Sequence, residues 1–330
     1  MSSDIFDLVS GEEKLQNILY NRKCLHHRIC EMEKGLKGRE KAWYISISSP
    51  EAGAWLSALP NQPKFVFTNE QFTTCLLYRF FLNIPFIQLN QKCDCKSKFV
   101  IDMKGHHLAT GCGILNLRTH THDFVKLALK ACMDYAGWFS RLEPRGLFPD
   151  NDKRPDIEAC PPGNLGADKE LFDVMVTSPL PNELHEDGSP WELTEHEVNE
   201  KGRAAKKGHK LKMKKYEKDV QAIQSKLRPF IIESTGLMHE ESKVILKRLA
   251  SCAHYSKPYI PECVLVNYFF KIISCALMRG IADCVNRKIN NFSMKSRRND
   301  EFSVAELVPL GSIVEDLVAS SFFPHHDDLE

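Results

Sequence analysis

The chain has 330 residues, of which 43% are hydrophobic and 26% are charged, so it can form one large core or two modest ones. Its net charge of +1 excludes a uniformly basic or acidic protein. The start of the chain is polar and acidic, without a cationic segment that leads into an apolar one, so we expect an intracellular protein. Its twelve cysteines are then expected to be thiols or metal ligands rather than disulfides.

The first 120 residues divide into two predicted regions. Residues 1–50 are polar and mixed in charge, which favours a leader or linker. Residues 51–85 are rich in aromatic side chains, and Phe72, Leu76 and Phe80 have the spacing of one helix face. We therefore predict that 51–120 contains a helical segment followed by a Cys/His knuckle.

The predicted knuckle lies between residues 90 and 112. Zinc binds four nitrogen or sulfur ligands at ~2.0 to 2.3 Å, and a set of three cysteines and one histidine would leave no open position, so the zinc would be structural. Alternatively, these residues are unconnected thiols beside a polar His-His turn, because the first two cysteines are unusually close in sequence. The candidate zinc ligands are Cys93, Cys95, His107 and Cys112.

Residues 121–250 are predicted to form an α/β core. A helical pattern over 121–138, a strand near 138–143, two acidic strands, a basic helix over 194–227 and a strand over 230–233 follow in order. This order predicts a mixed sheet flanked by helices. Residues 251–330 are expected to form a helical extension that ends in an acidic tail. Its most apolar stretch, 264–278, is too short for a membrane span and is predicted to be a buried helix.

Two aspartates mark the acidic strands. Asp156 precedes one apolar run, Asp173 lies in the next, and the intervening segment 160–166 has strong turn signals. If the runs pair antiparallel, the two carboxylates lie on one face within ~5 Å and can share a divalent cation. Alternatively, Asp156 only caps a turn and Asp173 only ends a strand.

The basic helix supplies nine Lys or Arg side chains between residues 201 and 218, against one acid. The apolar stripe through Tyr216 and Val220 turns Lys212 inward and leaves Lys215 at the border. Two acids and a lysine around a hard cation form the core of a metal-dependent phosphodiesterase site. The other cations can neutralise nucleic-acid phosphates, unless they form only a solvated face. The predicted nucleic-acid contacts are Arg154, Arg203, Lys206, Lys207, Lys210, Lys214 and Tyr216.

Three motifs occur in a characteristic order: 154–157 (Arg-Pro-Asp-Ile), 173–179 (Asp-Val-Met-Val-Thr-Ser-Pro) and 212–216 (Lys-Met-Lys-Lys-Tyr). Together with 53–60, the Cys/His cluster and 121–123, they resemble the restriction-like endonuclease of some non-LTR retrotransposons, a PD-(D/E)XK superfamily member that follows the reverse transcriptase. The likeness covers residues 53 to 286. It implies a restriction-endonuclease-like mixed sheet with a knuckle insertion and helical extensions at both ends.

The same resemblance assigns roles to individual residues. It implies that Asp156 and Asp173 bind Mg²⁺ or Mn²⁺, that Lys212 or Lys215 is the catalytic lysine, and that His122 is an accessory residue. The leading hypothesis is a nuclear endonuclease that nicks target DNA, with DNA or RNA as partner and no membrane. One alternative is a nucleic-acid-binding module that has lost catalysis, and another is a structural remnant of a retroelement polyprotein.

Overall fold

The computed structural model describes residues 34–85, 87, 92–95, 100–149, 152–163, 169–181 and 192–299. The expectations for most of the leader and for the acidic tail lie outside these ranges. Within them the chain forms seven α-helices and one four-stranded sheet. The helices are α1 (Gly38–Ile47), α2 (Asn69–Arg79), α3 (His120–Tyr135), α4 (Glu195–Asn199), α5 (Arg203–Ala222), α6 (Glu240–Ser256) and α7 (Glu262–Asn299). The strands are β1 (Phe139–Leu142), β2 (Ile157–Cys160), β3 (Glu170–Thr177) and β4 (Lys226–Glu233).

The sheet has the order β1-β2-β3-β4 and is mixed. The pairs β1/β2 and β2/β3 are antiparallel, whereas β3 and β4 are parallel. A parallel pair needs a crossover connection, and α5 lies in the segment that joins β3 to β4. The prediction of a mixed α/β protein with a mixed sheet flanked by helices is therefore confirmed. The finer assignment, a restriction-endonuclease fold, stays a prediction.

Side chains along β3 alternate between the two faces of the sheet. Phe172 and Val174 join the main core, where Phe172 meets Trp138 edge-to-face. Leu171 packs with Tyr216 of α5 on the opposite face. Asp173, between Phe172 and Val174, therefore belongs to the face that α5 covers. This alternation is what brings an acidic side chain under the basic helix.

Helix α7 is the longest and most apolar element. Its segment Glu262–Phe292 is long and apolar enough by composition to cross a membrane, so the expectation that its apolar stretch is too short was wrong. The structure nevertheless buries 56% of its most apolar window, and Phe269, Ile273 and Leu277 are fully buried in the main core. The prediction of a buried helix is therefore confirmed for the described residues.

The predicted single basic helix over 194–227 is wrong in its boundaries. Helix α4 begins at Glu195, and its N-cap Thr194 forms a capping box with Glu197. The chain then turns at Gly202, which has a φ of 70° that other residues rarely adopt, before α5 begins. Leu227, assigned to the helix from its spacing, lies in β4. The spacing of Leu227 fits the apolar face of the helix, but an apolar residue fits a strand equally well. The turn at Gln224, which has a positive φ, ends the helix before Leu227 and places this residue in the strand.

Candidate functional sites

Asp156 and Asp173 lie opposite each other. In the antiparallel β2/β3 pair, Ile157 faces Phe172, so the preceding Asp156 falls across from Asp173. Oδ2 of Asp156 accepts a 2.6 Å hydrogen bond from the amide of Val174, directly after Asp173. The predicted antiparallel pairing of the two acidic runs is therefore confirmed, and it brings the two aspartates together.

Asp173 is deeply buried, with its side chain only 3% exposed. The Tyr216 hydroxyl lies 2.6 Å from its Oδ1. Oδ2 accepts no hydrogen bond, so the Lys212 ammonium, which forms an ion pair with it, is its only polar partner among the described residues. One oxygen of Asp173 is thus fixed by a neutral donor, and the other faces a single positive charge.

The two candidate lysines differ in position. Lys212 points inward, as its helical phase predicts, and its side chain is 19% exposed against 44% for Lys215. Nζ of Lys215 lies 3.9 Å from Oδ1 of Asp173 and donates a 2.8 Å hydrogen bond to the Tyr216 hydroxyl. Lys212 therefore contacts the acid directly, whereas Lys215 lies at the rim.

His122 connects α3 to the acidic pair. Its Nε2 lies 3.1 Å from Oδ2 of Asp156, and its Nδ1 lies 3.1 Å from Oδ1 of Asp123. Burial alone would lower the pKa of His122, but the two carboxylates outweigh it and raise that pKa above its usual value. For Asp156 the effect of burial is opposite, because burial raises the pKa of a carboxyl group. His122, the Val174 amide and the Lys212 charge outweigh burial and hold the pKa of Asp156 below its usual range. His122 and Asp156 therefore form an ion pair.

A loop with two exposed cations, Lys153 and Arg154, is joined to α5 near the acidic site. Arg154 precedes β2, and its carbonyl oxygen lies 2.7 Å from the Tyr216 hydroxyl. Lys153 Nζ donates to the Lys215 carbonyl at 3.1 Å and pairs with Asp219 at 2.8 Å, which ties this loop to α5. Of these three cations, Lys215 is the one whose side chain lies near Asp173, and the loop with Lys153 and Arg154 is joined to α5 beside it.

The predicted nucleic-acid contacts fall into separate groups. Tyr216 is fully buried, so the expectation that it touches nucleic acid was wrong; the helix face that carries it packs on the sheet. Lys206 pairs with Glu200 and Arg203 with Glu197. The remaining predicted helix cations are exposed and, by helical geometry, project from the side of α5 away from Tyr216. These are Lys207, Lys210 and Lys214.

Two further acidic residues have structural surroundings that their sequence positions did not reveal. Glu233, at the end of β4, is buried and accepts hydrogen bonds from the Ala205 amide and the Ser46 hydroxyl. It thus caps α5 and is not a cation ligand.

Glu143, after β1, donates its amide to the Asp156 carbonyl at 2.8 Å and pairs with Lys126 at 2.6 Å. Lys126 also contacts Asp123 and so extends the His122 network.

The acidic site fits a hard divalent cation. Mg²⁺ is commonly held by one or two carboxylates, with water and substrate phosphate as further ligands. Asp156 and Asp173 supply two carboxylates, and among the described residues Oδ2 of Asp173 is held only by its ion pair with Lys212. No group of three close His, Cys, Asp or Glu ligands occurs here among the described residues. The donor set therefore suits Mg²⁺ or Mn²⁺ better than zinc.

The predicted zinc ligands meet in space. Cys93, Cys95, His107 and Cys112 are all buried, and their ligand atoms lie within 4.8 Å of one another. The sulfurs of Cys93 and Cys112 are 3.4 Å apart, and the Cys95 sulfur lies 3.6 Å from Nε2 of His107. The alternative of unconnected thiols was therefore wrong. The cluster could hold a metal ion, and its composition is compatible with zinc.

Three contacts anchor this Cys/His cluster. The Asp102 carboxylate accepts the amides of His106 and His107 at 2.9 and 2.8 Å. The His106 ring is hydrogen-bonded to Ser178, directly after β3. Lys288 of α7 donates to the carbonyls of Leu108 and Cys112. Burial lowers the pKa of Lys288, and negative charge on the neighbouring cysteines opposes that shift.

A second group of close ligand atoms, from His209, His239 and Glu241, was not predicted. Its members come from α5 and the start of α6, so no short sequence pattern indicates it. The two imidazole rings are stacked with centroids 4.2 Å apart, and Nδ1 of His239 accepts the Glu241 amide as an N-cap of α6. The stacked rings and the helix cap explain why these three side chains lie close together without a bound metal.

A scan against protein-family models and a search of curated protein sequences both gave no match for this chain. In its described residues the chain is a mixed α/β protein with an acid–lysine site and a buried Cys/His cluster. The retrotransposon endonuclease resemblance stays a prediction.

Proposed function

We propose that this chain is a metal-dependent DNA endonuclease domain derived from a non-LTR retrotransposon. The observation that carries the proposal is the meeting of Asp156, Asp173 and Lys212, which come from the start of β2, from β3 and from α5. A carboxylate pair beside a lysine is the arrangement that phosphodiester hydrolysis needs. Because the target is DNA, the domain would act in the nucleus.

Asp156 and Asp173 would hold Mg²⁺ or Mn²⁺, which supplies charge neutralisation at the attacked phosphate. Tyr216 fixes Oδ1 of Asp173, and the cation would share Oδ2 with the Lys212 ammonium. Lys212 would place its positive charge beside the phosphate and orient the attacking water. His122, held by Asp123, orients the Asp156 carboxylate from the other side. The positioning roles of Tyr216 and His122 are supported by the hydrogen bonds that these residues make to the two aspartates.

Structural zinc at Cys93, Cys95, His107 and Cys112 completes the proposal. A closed set of four ligands leaves no position for substrate, so the ion would stabilise structure rather than take part in chemistry. The His106–Ser178 hydrogen bond joins this cluster to the end of β3, the strand that carries Asp173. The zinc would therefore support the acidic site from a distance.

DNA would approach the acidic site across its exposed cationic rim. Lys215 lies near Asp173, and together with Lys153 and Arg154 of the adjoining loop it would contact the phosphates beside the cleaved bond. The lysines on the outer side of α5 face elsewhere and would add only general attraction. We therefore assign substrate positioning to the rim and not to the whole basic helix.

The proposal is tested by plasmid nicking in Mg²⁺ with the wild type and with Asp156→Asn. We expect nicking by the wild type only, with DNA retention on a gel unchanged by the substitution. Nicking that persists in Asp156→Asn, or that requires no divalent cation, would overturn the proposal.

A second candidate function is a nucleic-acid-binding module without catalysis. The observation that favours it is that Asp173 is buried and already neutralised by Lys212. Under this alternative, wild-type protein binds DNA equally with Mg²⁺ or with a chelator and never nicks it. The structural-remnant alternative would need α7 as an exposed apolar surface, whereas the described part of α7 is largely buried.

A further inference from the structure

Lys288 is the charged side chain behind the Cys/His cluster, and only 1% of it is exposed. We propose that Lys288 is the counter-charge of a metal–thiolate centre formed by the cluster of Cys93, Cys95, His107 and Cys112. This inference rests on the metal-binding part of the proposed function and adds the residue that sets the charge of the centre.

The contacts of Lys288 point to the cluster. Nζ donates to the Leu108 carbonyl at 2.6 Å and to the Cys112 carbonyl at 3.1 Å, and both carbonyls belong to the loop that carries the ligands. Among the described residues no carboxylate lies within ion-pair distance of Lys288. The nearby Asp102 carboxylate already accepts two backbone amides. The ammonium is therefore solvated by neutral oxygens and has cysteines as its neighbours.

Charge neutrality then favours a bound metal. A divalent cation with three thiolates and one neutral imidazole has a net charge of minus one, which a single ammonium neutralises. Zinc binds cysteine as the thiolate, so metal loading brings this negative centre next to a buried lysine that has no carboxylate partner among the described residues. Burying an unpaired charge is costly, whereas burying a matched pair is much less so. Lys288 should therefore stabilise the metal-loaded state more than the metal-free state.

A counter-charge and an ordinary structural lysine differ in how their removal affects the metal-free and metal-loaded proteins. If Lys288 acted only through its two hydrogen bonds, its removal would weaken the metal-free and metal-loaded proteins equally. If it acts as a counter-charge, removal weakens mainly the loaded protein. A comparison of the two states therefore gives a readout that a purely structural role does not change.

The experiment uses the full chain as wild type, Lys288→Met and a control, Lys257→Met. Methionine has a similar length but no charge, and Lys257 Nζ also donates to a backbone carbonyl, that of Tyr135 at 3.0 Å, away from the cluster. Each protein is titrated with Zn²⁺ against a chromogenic chelator and with Co²⁺, whose thiolate absorption reports the ligands. Thermal unfolding is then measured with and without Zn²⁺.

We expect wild type and Lys257→Met to bind one equivalent with equal affinity. We expect Lys288→Met to bind about 10- to 100-fold more weakly, with the thiolate absorption retained at saturation. The metal-dependent gain in Tm should shrink in Lys288→Met only. Equal affinity of Lys288→Met and wild type, or an equal loss of Tm with and without Zn²⁺, would overturn the inference. A wild type that binds no metal would overturn both the centre and this inference, whereas plasmid nicking tests the nuclease separately.

Discussion

The acidic site and the Cys/His cluster differ in how the chain assembles them. The four cluster residues lie within residues 93–112 and are all buried. The acidic site instead draws on α3, the start of β2, β3 and α5, and its His122, Asp156 and Lys212 retain partial solvent access. A closed set of soft ligands suits a permanently held ion, whereas a partly open pair of carboxylates with its own lysine suits a cation that arrives with substrate. The comparison thus predicts a structural role for one site and chemistry for the other.

The largest expected effect comes from Asp173→Asn at the acidic site. The amide cannot replace the charge that holds the cation, so we expect nicking to fall by about a thousandfold or more, while metal binding at the Cys/His cluster is unchanged. Initial nicking rates measure this effect. Asp134→Asn on the exposed surface of α3 serves as control. A nicking rate within tenfold of wild type would remove Asp173 from the catalytic site.

The lysine next to Asp173 should matter more than its neighbours on α5. We expect Lys212→Met to reduce the nicking rate by about a hundredfold, because it removes the charge that contacts the acid. Lys215→Met should reduce it only a few-fold, and Lys214→Met hardly at all, since Lys214 projects from the outer side. Single-turnover nicking rates of the three variants measure the order of these effects. If Lys215→Met has the largest loss, the roles of the two lysines are reversed.

At the Cys/His cluster, Cys112→Ser should remove metal binding and destabilise the protein. At a zinc concentration about a thousandfold above Kd, a bound metal contributes about 4 kcal/mol, which for a chain of 330 residues corresponds to a Tm loss of about 6 °C. Calorimetry with and without zinc measures this loss, and Cys263→Ser, at an exposed cysteine, is the control. If Cys112→Ser and wild type unfold at the same temperature in zinc, the cluster holds no stabilising metal.

The smallest expected effect is the pH dependence of the His122–Asp156 ion pair in metal-free buffer. The folded-state pKa of Asp156 is lowered, so its contribution is present above the usual carboxyl pKa of about 4 and is lost as the pH falls further. The folded-state pKa of His122 is raised, so its contribution is complete below about 6.5 and is lost as the pH rises through the raised value. The stability difference between wild type and His122→Gln should therefore be largest near pH 5 to 6. Urea unfolding at several pH values measures it, and a difference that grows above pH 8 would contradict the ion pair.

Local signals were sufficient to predict much of the fold. Alternation and turn residues predicted the two acidic strands and their antiparallel pairing, because both depend on neighbouring residues. Cysteine and histidine spacing predicted the cluster for the same reason. The inward direction of Lys212 followed from helical phase relative to Tyr216. Each of these features is encoded within about twenty residues of chain.

Other features required contacts between distant segments. Tyr216 has an amphipathic side chain that suits either nucleic acid or a core, and only the packing of α5 on β3 places its hydroxyl on Asp173. Glu233 caps α5 because β4 ends beside that helix, which no pattern within β4 indicates.

By itself, the sequence determined which segments are helical or extended and which residues are able to bind metal, because backbone preference and ligand chemistry are local properties. Only the tertiary structure decided which charges meet. Lys288 lies far along the chain from the cysteines, and nothing in α7 marks it as their partner. Lys212 and Asp173 likewise pair because the crossover helix lies over the strand. Electrostatic pairing depends on distance in space, which the fold sets and the order of residues does not.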